Sequence, residues 1–299
     1  MTIVSNSDIE TSQKCERMFY YSRIMNIRPK NLPPALKRGS FGHKMMEAGF
    51  EAIINGGGLQ EASEAAAVVL QQLMNSGDPD VAEMMGVFRH VCAFFEYATS
   101  DKCVWFPVAL EDKGMWNITQ NRPMESDDPE SDLIFGYTPD LIVEFRSGLY
   151  KGQHAVLDYK FLGQYMKEAA LTMSQQIPKY IIYRNLTKTD YKIRRGAFIQ
   201  LNTRAKPDEG GHKLFLIKWL EPTKTDLETI KYENEILVGR IAKLYEDPDY
   251  VFTRTANKDV CNWCFFSGDL CPMQRAGKKV DNILKNNYIP NDYGYNNVE

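Results

Sequence analysis

The stretch GYTPDLIVEFRSGLYKGQHAVLDYKF, residues 136–161, contains two apolar segments of strand length on either side of a turn. Branched and aromatic side chains dominate both segments, and Gly148 and Gly152 lie between them, so the pattern predicts two adjacent β-strands. The second strand ends in Asp158 and Lys160, which alternation places on the same face. Three apolar residues precede this pair, so it lies at the end of a buried strand. Charged groups at such a place require partners, and a divalent cation is one of them.

These charged residues suit phosphoryl-transfer chemistry. Mg²⁺ and Mn²⁺ take oxygen ligands, tolerate an imidazole, and activate water or polarise a phosphoryl oxygen. A neighbouring lysine stabilises the negative charge that develops in such a reaction. Pro139-Asp140, at the start of the first strand, supplies a second carboxylate. Taken alone, the D-x-K pattern is also typical of a surface ion pair.

Three further features favour a functional site. Gly39 and His43 form a G-x-x-x-H pattern at the start of a predicted helix, where the imidazole could face the same cation. Gln176 and Tyr180 are four residues apart on the helix that follows the second strand, and therefore share one helix face. Glu111 ends the strand VWFPVALE and offers another carboxylate.

The order G-x-x-x-H, Glu, P-D, D-x-K, Q-x-x-x-Y resembles the RecB-like branch of the PD-(D/E)XK nucleases, which includes the Cas4 exonucleases and the nuclease domain of AddB. The resemblance extends from Cys15 to Cys271. It implies an α/β, restriction-endonuclease-like fold, with a central mixed sheet flanked by helices and a helical insertion. It also implies a metal-dependent DNA nuclease, with an exonuclease favoured over an endonuclease by analogy with these relatives.

The resemblance also implies roles for individual residues. Lys160 would be the catalytic lysine, and Gln176 and Tyr180 would position the substrate or the metal-bound water. The implied ligands of Mg²⁺ or Mn²⁺ are the side chains of His43, Asp140 and Asp158 and the backbone carbonyl of Tyr159, with Glu111 as a further carboxylate. Glu144, on a neighbouring strand, is an alternative to Glu111. Two positions depart from the family pattern: the second acid is Asp158 where many relatives have Glu, and Phe161 follows the lysine where relatives often have a small or hydroxyl residue.

Four of the six cysteines form a second constellation. Cys261-x-x-Cys264 and Cys271-Pro272 lie near one end, and Cys15 lies near the other. Clustered cysteines in a chain without an export signal indicate metal ligands before disulfides. Four thiolates suit zinc or an iron–sulfur cluster. The resemblance implies a 4Fe–4S cluster that joins the N-terminal and C-terminal ends, with Zn²⁺ as the alternative. The other two, Cys92 and Cys103, are typical of ordinary buried cysteines.

Candidate nucleic-acid contacts are less specific. The basic side chains that we predict to contact phosphates are Arg17, Arg23, Arg28, Lys30, Lys37, Arg38, Lys192, Arg194 and Arg195. Phe19, Tyr20 and Tyr21 are candidates for stacking on unpaired bases. Basic runs are more often solvated faces, and aromatic runs are more often core.

The predicted layout is one nuclease domain over residues 1–284 with a flexible tail at 285–299. Its helical part covers about 7–100, its sheet core about 103–220, and its C-terminal helix with the cysteine cluster about 222–275. In detail, the pattern predicts helices over 7–30 and 162–185 and a loop over 28–38.

Bulk properties limit the class of protein. A net charge of −3 indicates that any DNA binding depends on local basic patches. No secretory signal and no apolar run of spanning length is present, so we expect a cytoplasmic location and no membrane contact. We expect DNA as the substrate, either a single strand or a duplex end. The sequence has no phosphate-binding loop, so a helicase, recombinase or integrase-type partner would be a separate chain.

Two alternatives to a DNA nuclease stay open. The chain could be a non-cleaving DNA-binding or assembly subunit, or a zinc-stapled RNA-processing protein. DNA repair, phage recombination and CRISPR adaptation all fit the nuclease prediction.

Overall fold

The computed structural model describes residues 2–76, 80–204, 214–247, 250–255 and 257–291. The helices in these ranges are α1 (Asn6–Lys14), α2 (Glu16–Phe19), α3 (Pro34–Ile54), α4 (Leu59–Asn75), α5 (Val81–Ala98), α6 (Glu168–Thr172), α7 (Gln176–Thr187), α8 (Lys224–Glu246), α9 (Lys258–Asn262), α10 (Leu270–Arg275) and α11 (Asp281–Asn287), with a π-helical turn at Tyr20–Ile24. The strands are β1 (Thr2–Ser5), β2 (Ile27–Pro29), β3 (Trp105–Leu110), β4 (Gly114–Asn117), β5 (Arg122–Pro123), β6 (Leu133–Tyr137), β7 (Leu141–Phe145), β8 (His154–Leu162), β9 (Ile193–Asn202), β10 (Phe215–Leu220) and β11 (Tyr288–Pro290).

The chain forms two compact units, each assembled from segments that are distant in sequence. The large unit contains Pro34–Gly114 and Tyr137–Lys231, and the small unit contains Met1–Pro33, Met115–Gly136 and Tyr232–Glu299. The single domain predicted from the sequence stays a prediction, because a compact unit need not be an independently folding domain.

The sheet of the large unit has the strand order β10-β9-β8-β7-β3. β8 and β9 run parallel, while the other neighbouring strands are antiparallel. The predicted α/β fold with a mixed sheet is therefore confirmed. In the β7–β8 pair, Leu141 lies opposite Leu157. This register decides which side chains meet at the end of the two strands.

Helices cover both faces of this sheet. α3, α4 and α5 pack on one face, where the ring of Phe50 stacks on the ring of Tyr159 at 6.0 Å. Both residues are buried, and burying a side chain of this size stabilises the fold by about 1.5–3 kcal/mol. α7 packs on the opposite face. There a Cβ at Gly196 would lie 2.6 Å from both Ile177 and Val156, so only glycine permits this close approach.

The small unit contains strands and helices that the sequence patterns partly missed. β1 pairs in parallel with β6, and no strand was predicted at residues 2–5. Helix α1 follows directly, because the Ser5 side chain accepts the Asp8 N–H and the Asp8 carboxylate accepts the Ser5 N–H. The single helix predicted over 7–30 is wrong: the backbone is extended at Cys15, which separates α1 from α2.

Two other boundaries differ from the predictions because of proline. The predicted loop over 28–38 is wrong in its second half, since α3 begins at Pro34, where the missing N–H costs no intrahelical hydrogen bond. The helix predicted over 162–185 is two helices, α6 and α7, with Pro178 in the first turn of α7. At that position proline is tolerated for the same reason.

The C-terminal segment is more ordered than predicted over its described residues. β11 pairs antiparallel with β2, and Tyr288 is buried. The flexible tail predicted from residue 285 is therefore wrong for 285–291, and its remainder, 292–299, lies outside the described residues. Among the described residues, no helix is both long enough and apolar enough to cross a membrane.

Candidate active site

The charged end of β8 lies on the α7 side of the large-unit sheet. Asp158 is 2% exposed, and its Oδ2 lies 2.6 Å from Nζ of Lys160. Tyr159, between them, points to the opposite face and stacks on Phe50 in the core. The alternation predicted for Asp158 and Lys160 is thus observed, and the buried ring of Tyr159 holds the strand in this orientation.

Gln176, the first residue of α7, connects the carboxylate and the lysine. Its Nε2 donates a hydrogen bond to Oδ1 of Asp158 at 2.7 Å, and its Oε1 accepts one from Nζ of Lys160 at 2.9 Å. Nε2 also donates to the hydroxyl of Tyr180, one helical turn later, at 2.8 Å. One amide side chain therefore sets the positions of the carboxylate, the ammonium and the phenol.

The second carboxylate belongs to Asp140, which directly precedes β7. Because Leu141 lies opposite Leu157 in the antiparallel pair, Asp140 lies opposite Asp158. The Tyr159 N–H donates to Oδ2 of Asp140 at 2.7 Å, and Nδ1 of His43 lies 3.4 Å from Oδ1 of Asp140. α3 thus brings the predicted histidine to the two predicted carboxylates.

The pKa values of Asp158 and His43 are shifted by burial and by the nearby carboxylate of Asp140. Burial raises the pKa of Asp158 to about 6, and the charge of Asp140 adds to this effect while Lys160 and His43 oppose it. Burial alone would lower the pKa of His43, but the hydrogen bond to Asp140 and its charge outweigh burial and raise it. Both shifts indicate that additional positive charge at this place is favourable.

The two candidates for a further carboxylate lie at different ends of β7. The Glu111 N–H donates to the Asp140 carbonyl at 3.2 Å, and its carboxylate pairs with Lys113 at 3.4 Å. Glu144 lies opposite His154, four residues along β7 from Asp140, which corresponds to roughly 13 Å of strand. The structure therefore brings Glu111, and not Glu144, to the end of the sheet that carries Asp140.

Sequence reasoning missed Glu47. It lies one turn after His43 on α3, and burial, followed by the charges of Glu111 and Glu51, raises the pKa of its carboxyl group. The i, i+4 spacing from His43 was the available signal, because residues at that spacing share a helix face. Glu47 is therefore a neighbour of Glu111.

A comparison with known families identifies the constellation. A model of the PD-(D/E)XK nuclease superfamily matches residues 3–272. The chain belongs to the PD-(D/E)XK nuclease superfamily. Membership indicates a metal-dependent nuclease that acts on DNA, with a divalent metal such as Mg²⁺ or Mn²⁺.

Among solved structures, the crystal structure of SSO0001 is 11% identical to this PD-(D/E)XK chain. The alignment covers 90% of this chain and 85% of that chain, with a TM-score of 0.38. No curated protein sequence matches the chain.

The chemistry of the PD-(D/E)XK site fits a hard divalent cation. Carboxylate oxygens and an imidazole are suitable donors, and the buried Asp158 carboxylate and Asp140 place such oxygens beside His43. Within the described ranges, however, no group of three or more His, Cys, Asp or Glu side chains is arranged to hold a metal ion as it stands. The ligand set, including the carbonyl of Tyr159, stays a prediction.

The four predicted thiolate ligands of the nuclease lie in its small unit. All of them line one open pocket of about 820 Å³: Cys15, Cys261, Cys264 and Cys271. None forms a disulfide. Burial raises the pKa of the Cys264 thiol, and the charges of the other three cysteines contribute to the shift. Cys103, in the large unit, is a separate, half-buried thiol, and desolvation raises its pKa to about 11.

Several predicted phosphate contacts of the nuclease are engaged within the protein. Arg23 pairs with Asp8, Lys37 with Asp80 and Arg38 with Glu83, while Lys30 donates to the carbonyl of Lys285 and Arg17 lies over the ring of Tyr20. Arg195 is buried, paired with Glu221 and placed over the ring of Tyr150, so its prediction as a phosphate contact is wrong. Lys192 and Arg194 are exposed.

The predicted base-stacking aromatics need a similar correction. Phe19 and Tyr21 have no exposed surface, because Phe19 packs on Tyr245 and Tyr21 packs on Phe266. Tyr20 packs on Phe252. Phe19 and Tyr21 belong to the core of the small unit, so bases cannot stack on them, whereas the half-buried Tyr20 stays a prediction.

Proposed function

We propose that this superfamily member is a RecB-like, Cas4-like DNA exonuclease that hydrolyses phosphodiester bonds with Mg²⁺ or Mn²⁺. The observation that carries the proposal is the convergence of Asp140, Asp158, Lys160 and Gln176 at one end of the β7–β8 pair. The order of the motifs along the chain supports the RecB-like assignment, because His43 precedes the acidic residues and Gln176 with Tyr180 follows them.

The residues of the site divide the work of hydrolysis. His43, Asp140, Asp158 and the carbonyl of Tyr159 would hold the cation, which when bound polarises the scissile phosphate and activates water. Lys160 stabilises the negative charge that develops on the phosphate oxygens. The water oxygen forms a bond to phosphorus, the bond from phosphorus to the leaving sugar oxygen breaks, and that oxygen takes a proton.

Gln176 and Tyr180 act as positioning residues in this proposal. The Gln176 amide holds Asp158 and Lys160 through bonds of 2.7 Å and 2.9 Å, so the ammonium does not need to be reoriented when the phosphate arrives. The hydroxyl of Tyr180 accepts the third bond and keeps the amide in this orientation.

We infer that digestion begins at DNA ends, on a single strand or at a duplex end, since the relatives that share this motif order mostly act from ends. A helicase, a recombinase or an integrase-type protein would be a separate partner chain. A nuclease that acts with such a partner would fit DNA repair, phage recombination or CRISPR adaptation.

A 4Fe–4S cluster held by Cys15, Cys261, Cys264 and Cys271 is the second part of the proposal. It is supported by the shared pocket that the four thiols line in the small unit. A cluster there would join the α1–α2 junction to α9 and α10 and close a loop of about 250 residues, which restricts the unfolded chain. Its role would be structural.

Metal analysis of purified protein tests the cluster. Wild type should contain iron and acid-labile sulfide and absorb visible light, and Cys264→Ala should lose both the iron and solubility. Cys92→Ala, at a half-buried cysteine remote from the pocket residues in sequence, is the matched control. Zinc found in stoichiometric amount, without iron, would show that the four cysteines hold Zn²⁺ and not an iron–sulfur cluster. A metal-free wild type that is fully folded and active would refute both.

Cleavage of end-labelled DNA tests the catalytic proposal. Wild type, Lys160→Ala and Asp158→Ala are compared on single-stranded and double-stranded DNA with Mg²⁺ or Mn²⁺. Lys151→Ala, which removes an exposed lysine between β7 and β8, is the control. We expect wild type and the control to release labelled product from an end, and both site variants to bind DNA without cleaving it. Internal cuts would indicate an endonuclease, and binding without cleavage by wild type would favour the non-cleaving scaffold.

A further inference from the structure

Arg204 follows the C-terminal end of β9 and contacts Gly163, which directly follows β8, the strand that carries the catalytic lysine. The end of β9 is tied to the end of β8, because the Thr203 N–H donates to the Leu162 carbonyl at 2.7 Å. The Arg204 side chain then crosses Gly163, where a Cβ would be 2.8 Å from Nε of Arg204. Gly163 is three residues after Lys160, or roughly 10 Å of extended chain. No sequence motif marks Arg204 as a site residue.

Helix α3 approaches the same place from the other side. The ring of Phe161, the residue after Lys160, packs directly against Gly42, where a Cβ would overlap the ring. The same ring lies 5.6 Å from the ring of His43. Arg38 is one turn before Gly42 and therefore shares its helix face.

The two guanidinium groups influence each other. Burial lowers the pKa of Arg38, and the positive charge of Arg204 lowers it further. Glu83 on α5 neutralises Arg38, but Nε of Arg38 is buried without a hydrogen-bond partner. Among the described residues, Arg204 has no carboxylate partner. Arg204, which has no carboxylate partner within the described ranges, and the guanidinium of Arg38 therefore lie beside the catalytic strand.

We propose that Arg204, together with Arg38, binds a backbone phosphate of the substrate strand next to the scissile position. A guanidinium group offers a planar fork of donors that matches phosphate oxygens, and a second guanidinium supplies the remaining charge. The site determines how the strand is aligned as it enters between α3 and the end of β8. This inference rests on the proposed function, because it takes a DNA strand as the ligand.

Binding of a fluorescent single-stranded oligonucleotide without terminal phosphates tests the site. Calcium replaces magnesium in this assay so that the strand stays intact. Arg204→Ala is compared with Arg89→Ala, which removes an exposed arginine of α5 in the same unit and changes the net charge equally. We expect Arg204→Ala to bind the oligonucleotide about tenfold more weakly than wild type, and Arg89→Ala to bind it as wild type does. The slope of log affinity against log salt should fall by about 0.7, the value for one phosphate contact on a single strand.

A second variant and a modified substrate locate the contact. Gly163→Ala keeps the charge of Arg204 but displaces its side chain, and should weaken binding in the same direction. Oligonucleotides with one uncharged methylphosphonate linkage should slow cleavage by wild type at one position near the end. In Arg204→Ala, a methylphosphonate at that position should no longer slow cleavage, while the effect of methylphosphonates at other positions should be unchanged.

The outcomes separate this inference from the proposed function. Suppose that wild type cleaves DNA and that Arg204→Ala and Arg89→Ala have the same affinity, salt slope and methylphosphonate sensitivity. This result overturns the phosphate site and leaves the nuclease proposal intact. Wild type that does not cleave but loses affinity on Arg204→Ala retains the phosphate site and overturns the hydrolytic proposal. Wild type that neither binds nor cleaves DNA overturns both.

Discussion

Replacement of Gln176 by alanine removes a side chain that is hydrogen-bonded to Asp158, Lys160 and Tyr180. Three hydrogen bonds of 2.7, 2.9 and 2.8 Å are lost together. Oδ1 of Asp158 then loses a partner inside the fold, which should lower the free energy of unfolding by about 1–3 kcal/mol. The larger effect is on the lysine, whose ammonium keeps its ion pair with Asp158 but loses the hydrogen bond to Gln176 that fixes its orientation. A displacement of about 1 Å in a catalytic group lowers the rate about 100-fold, so we expect kcat to fall by that factor.

Steady-state cleavage of an end-labelled oligonucleotide measures this effect, with kcat and KM determined separately. Tyr180→Phe is the matched control, because it removes the hydroxyl that accepts the third bond and leaves the two bonds to Asp158 and Lys160 in place. It should lower kcat by about fivefold, as expected for one neutral hydrogen bond. An unchanged kcat for Gln176→Ala would refute the positioning role. A raised KM with unchanged kcat would show instead that Gln176 contacts the substrate.

Three further predictions concern stability. Arg184 is 1% exposed and pairs with Asp112 and Asp190, so Arg184→Ala should lower the free energy of unfolding in urea by about 3–5 kcal/mol. The hydrogen bond from Arg184 lowers the pKa of Asp190 to about 2, below its unfolded value of about 3.9. The ionised Asp190 carboxylate therefore contributes its full share to the free energy of unfolding above pH ~4, and this share is lost as the pH falls to ~2. The difference in unfolding free energy between wild type and Asp190→Asn should shrink over that range, and a constant difference would contradict the assignment. Gly49→Ala should cost about 1–3 kcal/mol, because its Cβ would overlap the buried ring of Phe95; an unchanged melting temperature would show that the ring can move.

Local patterns predicted the elements on which the site is built. Runs of branched and aromatic side chains separated by turn residues predicted β7 and β8, and alternation placed Asp158 and Lys160 on one face. The four-residue spacing of Gln176 and Tyr180 predicted one helix face, and the hydrogen bond between their side chains agrees with it. These properties depend on backbone geometry within a single element, so a few neighbouring residues are enough to determine them.

Contacts between distant segments were decided only by the tertiary structure. The register Leu141–Leu157 brings Asp140 opposite Asp158, and it selects Glu111 over Glu144 as the nearer carboxylate. The burial of Arg195 and the position of Arg204 across Gly163 likewise depend on how whole elements pack. The sequence shows that a side chain is charged, but its role depends on whether packing pairs it, buries it or leaves it facing the substrate. That outcome is a property of long-range contacts, for which the local pattern carries no signal.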